Sequence, residues 1–193
     1  MKTLILDSAT NLLYTALLID DQIVFESYVK GKNDHASAIL VEVEKACKKK
    51  NIELKELDKV IVGYGPGSYT GVRMAVTVGK MITTMEPKIK LYTISTLFLM
   101  ASGSSGKVLA EIDARRGNCF GCILDMSNGC YLIKEGLIEK EKLRESSFDA
   151  YVNENEFLVN PFVVDQQAVL VEEPRTLVPN YLRETEAERN IHA

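Results

Sequence analysis

The sequence predicts an α/β protein built on a mixed sheet, followed by a second, shortened lobe that echoes the first. Three observations predict it. The chain opens with three short apolar runs separated by turn residues, which read as successive hairpins. From residue 35 the apolar spacing turns helical, and strands then alternate with helices. After a Ser/Gly segment three strand-like runs return in succession, and an Asp closes the first run of each set.

The first run, 4–6, stops at Asp7. The second, 12–19, follows Ser8-Ala9-Thr10-Asn11, and the third, 23–29, follows the acidic turn Asp20-Asp21. Gly31-Lys32-Asn33-Asp34 breaks the pattern, and Asn33 or Asp34 can cap a helix over 35–50. Its apolar positions Ala36, Ile39, Leu40, Val43, Ala46 and Cys47 recur at helical spacing, while Ala38 and Val41 lie off that stripe. The helix is therefore apolar on more than one face. A strand over 59–63, a glycine-rich loop, a helix over 70–85, a strand over 90–94 and a short helix capped by Ser95 follow. Hairpins first and crossover helices afterwards imply a mixed sheet with one antiparallel edge strand.

Ser102-Gly103-Ser104-Ser105-Gly106 reads as a linker. It divides the chain into an N-terminal lobe over 1–103 and a smaller C-terminal lobe and tail over 104–193. Strands over 107–113, 118–125 and 130–137 open the second lobe, with Ser127-Asn128-Gly129 turning between the last two. Residues 140–160 are charged and weakly patterned, and a charged tail fills 183–193.

Composition narrows the function. A length of 193 residues, 46% hydrophobic and 26% charged, suits a soluble globular protein of one large domain or two small lobes. A net charge of −4 gives no electrostatic reason for unaided nucleic-acid binding. RNA remains within reach through a complex whose other members supply the positive charge. No apolar run approaches the roughly 20 residues of a membrane span, and the N-terminal run is too short for a signal peptide. The expected location is the cytoplasm, with no membrane partner. Cys119-Phe-Gly-Cys122 fits a C-x-x-C pattern, but in a strand residues three apart face opposite ways, so the thiols diverge. His35 has Ile39 where a paired metal site would place a second histidine, so no metal is expected.

The stretch Gly65-Pro66-Gly67-Ser68-Tyr69-Thr70-Gly71-Val72-Arg73 carries the most information. Gly65, Gly67, Ser68 and Thr70 form a candidate nucleotide or anion loop at the head of a helix. The alternative is a structural turn. Val72-Arg73 stands where a P-loop has Lys-Ser/Thr, and the glycine spacing misses the dinucleotide fingerprint by one residue. Gly71, Ala75 and Gly79 recur every four residues. A glycine inside a helix costs roughly 1 kcal/mol relative to alanine, so Gly79 implies a tight contact, either within the fold or across an interface. Arg73 is a surface charge or an interface anchor.

These motifs together resemble the bacterial TsaB (YeaZ) family. The glycine stretch matches that family's Gly-Pro-Gly-Ser-Phe/Tyr-Thr-Gly-Leu/Val-Arg signature. Ile5-Leu6-Asp7-Ser8-Ala9-Thr10, His35-Ala36-Ser37, Ser95-Thr96-Leu97, Ile112-Asp113-Ala114-Arg115-Arg116-Gly117 and Pro179-Asn180-Tyr181-Leu182-Arg183 follow in family order. The departures are Ala9, where the family commonly has a hydroxyl residue, and the short second lobe. The resemblance implies an ASKHA fold (actin-like, sugar-kinase-like, ribonuclease-H-like) of two related lobes with mixed sheets.

The resemblance also implies a role in making threonylcarbamoyladenosine in tRNA, at the adenosine adjacent to the anticodon. There the metal-bearing paralogue TsaD transfers the threonylcarbamoyl group, and the ATPase TsaE joins the pair. This chain would be a non-catalytic scaffold with no catalytic residue, homodimeric in isolation, and reaching tRNA through the complex. Family pairing runs through the first two long helices. This implies Ala36, Ile39, Leu40, Val43, Gly71, Val72, Ala75, Val76 and Gly79 as contacts, with Arg73 at the rim. No cofactor is implied for the chain alone; a nucleotide at the glycine loop or the partner interface is left open. In ASKHA kinases, strand-end turns resembling Asp-x-Gly-x-Thr grip phosphate; neither the turn at Asp7 nor that at Asp113 keeps the pattern. The competing readings are a self-associating regulator with another target, and an autonomous ATP-dependent enzyme or peptidase of the same superfamily.

Overall fold

The opening strand is apolar over three successive residues, Leu4 to Leu6, because both of its faces are covered. A computed structural model describes residues 1–30 and 35–182, the side chains of 35–37 excepted. In it β1 (Lys2–Asp7) turns Leu4 and Leu6 towards one core and Ile5 towards another. Such double burial is expected of a strand paired in parallel with a neighbour and covered on both sides. β1 pairs antiparallel with β2 (Leu12–Ile19), which pairs antiparallel with β3 (Gln22–Lys30). The turn at Asp20-Asp21 has φ of 48° and 60°, the two-residue geometry that matches strand twist.

The chain continues through α1 (His35–Lys49), β4 (Lys59–Gly63), α2 (Tyr69–Met85), β5 (Lys90–Ile94) and α3 (Thr96–Ala101). β4 runs parallel to both β1 and β5. The second sheet follows with β6 (Lys107–Arg115), β7 (Asn118–Asp125) and β8 (Cys130–Glu139), then α4 (Lys140–Arg144) and β9 (Ala150–Asn153). α5 (Pro161–Gln167) and β10 (Val169–Leu170) return to the first lobe. The sheet orders are β10-β5-β4-β1-β2-β3 and β8-β7-β6-β9. The second sheet therefore repeats the β3-β2-β1-β4 portion of the first, including the parallel β6–β9 pair. This is the two-lobed ASKHA arrangement, with α4 in place of a long helix in the second lobe.

The structure departs from the sequence expectation in three ways. Two strands run against the parallel set: β2, interior because its hairpins place a strand on either side of it, and β10, an antiparallel edge strand that comes from the C-terminal segment rather than from the opening hairpins. The segment 140–160 contains α4 and β9, elements too short to show a period. α5 had a local signal that composition hides: Asn160 accepts from the amides of Phe162 and Val163, and Pro161 occupies the first helical turn.

The boundary near residue 103 separates the sheets but not the cores. One core joins Ile5, Tyr14 and Ile61 of the first sheet to α3, to Val108, Phe120 and Cys122 of the second sheet, and to Val164 of α5. A second fills the space between the first sheet and the α1–α2 pair. After residue 168 the chain recrosses: β10 pairs with β5, and the turn at Pro174–Thr176 packs on α2. The suggested helix caps Asn33 and Asp34, and the tail 183–193, lie outside the described residues.

Candidate partner-binding face and the glycine-loop joint

The glycine loop is filled by the protein's own backbone. The Ser68 amide donates to the Ala9 carbonyl at 2.8 Å, and Ser8 Oγ donates to the Gly71 carbonyl at 2.7 Å. The Thr96 amide donates to the Gly65 carbonyl at 2.9 Å. Gly65 adopts φ of +107°, and a Cβ there would lie 2.3 Å from the Asn180 carbonyl oxygen. Gly67 backs onto Ala9 in the same way. Ser68 caps α2, its Oγ accepting from the Gly71 amide at 3.4 Å, while Thr70 faces outward. Whatever else it binds, the candidate nucleotide loop Gly65, Gly67, Ser68 and Thr70 serves as a joint. It locks the turn after β1, the head of α2, the head of α3 and the C-terminal segment together.

Asp7 belongs to the same joint. Its carboxylate is buried, accepting from the Ala9 amide at 2.8 Å and from Thr96 Oγ1 at 2.7 Å. Gly63 packs against it so closely that a Cβ would lie 1.7 Å from Oδ2. Burial pushes the Asp7 carboxyl up to about 6, against the pull of its two hydrogen bonds. Both oxygens are committed to protein donors. Asp113, its counterpart at the end of β6, pairs with Lys140 at 2.7 Å and accepts from the Arg115 amide at 3.1 Å. The Lys140 hydrogen bond holds it below the usual carboxylate range.

Cys119 and Cys122 lie in separate cores, on opposite faces of β7. Burial pushes the Cys119 thiol up to about 11 and that of Cys122 higher still, so both behave as packing groups. Among the described residues no group of three or more His, Cys, Asp or Glu side chains is placed to hold a metal.

The expected contact set on the two long helices divides. Ile39, Val43, Gly71, Val72, Ala75, Val76 and Gly79 are buried in the protein's own core. This corrects their assignment as exposed partner contacts: they seat α1 and α2 on the sheet, although Ile39 also lines the groove between the helices. The small-residue ridge admits strands and a turn rather than a foreign helix. A Cβ at Gly79 would meet Val62 Cγ1 at 2.6 Å, and one at Gly71 would meet the Ser8 carbonyl oxygen at 1.9 Å. The Ala36 side chain lies outside the described residues.

Leu40 and Arg73 do face outward, at the border of an apolar groove of about 360 Å³ between the helices. Met74, Thr77 and Met81 line it, with Leu40 54% and Met81 52% exposed. Tyr69, Arg73, Thr77 and Met81 follow a four-residue spacing, the second stripe of α2, of which sequence reasoning named only Arg73 as a contact. At one end the groove is stiffened. Arg73 donates to the Tyr69 hydroxyl and lies 5.2 Å from that ring, and Tyr69 stacks on Tyr181 at 5.0 Å.

Comparison with known proteins agrees with the signature. A family model described as TsaD, tRNA N6-adenosine threonylcarbamoyltransferase, matches residues 29–129. The tRNA threonylcarbamoyladenosine biosynthesis protein TsaB of Bacillus subtilis is 30% identical over 143 residues, covering 72% of this chain and 59% of that protein. The TsaB of Escherichia coli is 30% identical over 125 residues, covering 62% of this chain and 53% of that protein. The chain thus spans little more than half the length of these curated relatives. In fold it is similar to YeaZ from Pseudomonas aeruginosa, with a TM-score of 0.76 at 20% identity, covering 94% of this chain and 99% of that one. By sequence, the chain belongs to the TsaB (YeaZ) family, within the wider family that the TsaD model describes.

Proposed function

We propose that this protein is a non-catalytic accessory subunit in tRNA threonylcarbamoyladenosine biosynthesis, docking through the outer α1–α2 groove on a TsaD-type transferase. The observation that carries the reading is the groove itself. It presents the exposed Leu40 and Met81 and the half-buried Met74 on two helices whose inner faces are buried against the sheet. Clustered exposed methionines and an aromatic ring are the residues that interfaces favour. The enclosed Asp7 and the filled glycine loop support the absence of phosphate chemistry in this chain. A TsaE-type ATPase joins the assembled pair, tRNA is reached through the partner, and a second copy of this chain occupies the groove when the transferase is absent.

The test uses Leu40→Glu and Met81→Glu, two side chains more than half exposed, so the fold survives. We expect co-purification with the transferase to be lost, together with threonylcarbamoyl transfer in a reconstituted reaction. Undiminished association of both variants would overturn the reading.

A further inference from the structure

A second cavity, of about 370 Å³, lies between the lobes, on residues that the proposed docking role does not use. Its size is at the small end of ligand pockets. Tyr64, Ser95 and Phe98 line it from the first lobe, Tyr131 and Glu135 from the second, and Gln167 closes it from α5. Glu135 is fixed in position. Its Oε2 accepts from Ser95 Oγ at 2.6 Å, and its Oε1 accepts from Asn180 Nδ2 at 3.2 Å. Both donors are neutral, and among the described residues no basic side chain pairs with it.

Burial pushes the Glu135 carboxyl above its usual range. Burial and then the Glu135 charge push the Tyr131 and Tyr64 phenols up. A carboxylate partly withdrawn from water without a counter-charge is costly. Three aromatic rings around it add electron-rich faces, which attract cations and not anions.

We propose that this inter-lobe cavity binds a small organic cation, an ammonium or guanidinium group on a short aliphatic stem. The head group forms a charge-assisted hydrogen bond with Glu135 and lies against the tyrosine rings. The stem packs on Phe98 and Val169, which supply the apolar wall.

Isothermal titration of the full chain with agmatine, and with a neutral diol of the same length, tests this. We expect saturable agmatine binding that weakens about tenfold or more in Glu135→Gln, an isostere that keeps partners for Ser95 and Asn180. Tyr131→Leu, at a side chain already 37% exposed, should weaken it about threefold or more without touching the carboxylate. The second variant decides the matter if the first fails to fold. The proposal is overturned by no saturable binding up to about 10 mM agmatine. It is equally overturned by equal affinity for the diol, or by affinity unchanged in the variants. Binding that appears only in Arg183→Ala would also overturn it, since the cavity would then serve the chain's own tail.

Discussion

At the scale of single residues, Asp7 shows how a strand-end carboxylate is enclosed and held by donors from distant parts of the chain. Its place at the end of β1 is legible in sequence, since an apolar run stops there. Its partners are not, because Thr96 lies 89 residues further along. Enclosure gives Asp7 a pH signature. A carboxyl raised from 3.8 to about 6 in the folded state binds its proton more tightly folded than unfolded. Its contribution to stability is therefore fully present below the unfolded value and is lost as pH rises through about 6, amounting to about 2–3 kcal/mol. Asp7→Asn should remove this slope, since the amide keeps an acceptor for Ala9 and a partner for Thr96. Urea unfolding of both proteins at mildly acid and mildly alkaline pH checks it. We expect the variant to gain on the wild type as pH rises; parallel pH profiles would contradict the burial argument.

At the scale of elements, α2 carries most of the molecule's logic. The periodicity of Val72, Ala75, Val76, Gly79 and Ile82 is visible in the sequence, and so is the tightness that Gly71 and Gly79 demand. What packs against that stripe is not visible, because a helix buries the same kind of residue on its own sheet as on a foreign helix. The two glycines should respond differently to alanine. At Gly71 the new methyl meets a carbonyl oxygen at 1.9 Å, which cannot move without breaking the joint. We expect Gly71→Ala to cost about 3 kcal/mol or more despite alanine's better helix propensity. At Gly79 the obstacles are the ends of Val62 and Leu91 side chains, and about 1–2 kcal/mol is expected. The denaturant midpoints of the two variants, compared at equal slope, measure the difference.

At the scale of the whole molecule, the lobes are held by contacts that cross the sequence twice. Lys59, at the start of β4, is buried beside α5. Its Nζ lies 2.9 Å from Asp165 Oδ1 and 4.1 Å from the centre of the Tyr92 ring. Lys80 of α2 donates to the carbonyls of Arg175 and Leu177 at 2.8 and 3.2 Å, and Asn180 donates its amide to Tyr64 at 2.7 Å. The C-terminal segment is thereby strapped along the first lobe. Removing one member of a largely buried ion pair leaves the other uncompensated. We expect Lys59→Met to cost about 2 kcal/mol, and Lys59→Met/Asp165→Leu to recover most of it, measured by thermal unfolding.

The sequence by itself determined the first eight strands, the two long helices, the repeated three-strand opening and the family signature, because these rest on local periodicity and on residues contiguous in the chain; the short β9 and β10 carry no such period. Tertiary structure alone decided which stripe of each helix is buried on the protein's own sheet and which is left facing outward. It alone closed the glycine loop, sealed Asp7 and assembled the cavity around Glu135. Those outcomes depend on contacts between residues tens of positions apart, and no local pattern encodes which surface a given stripe will meet.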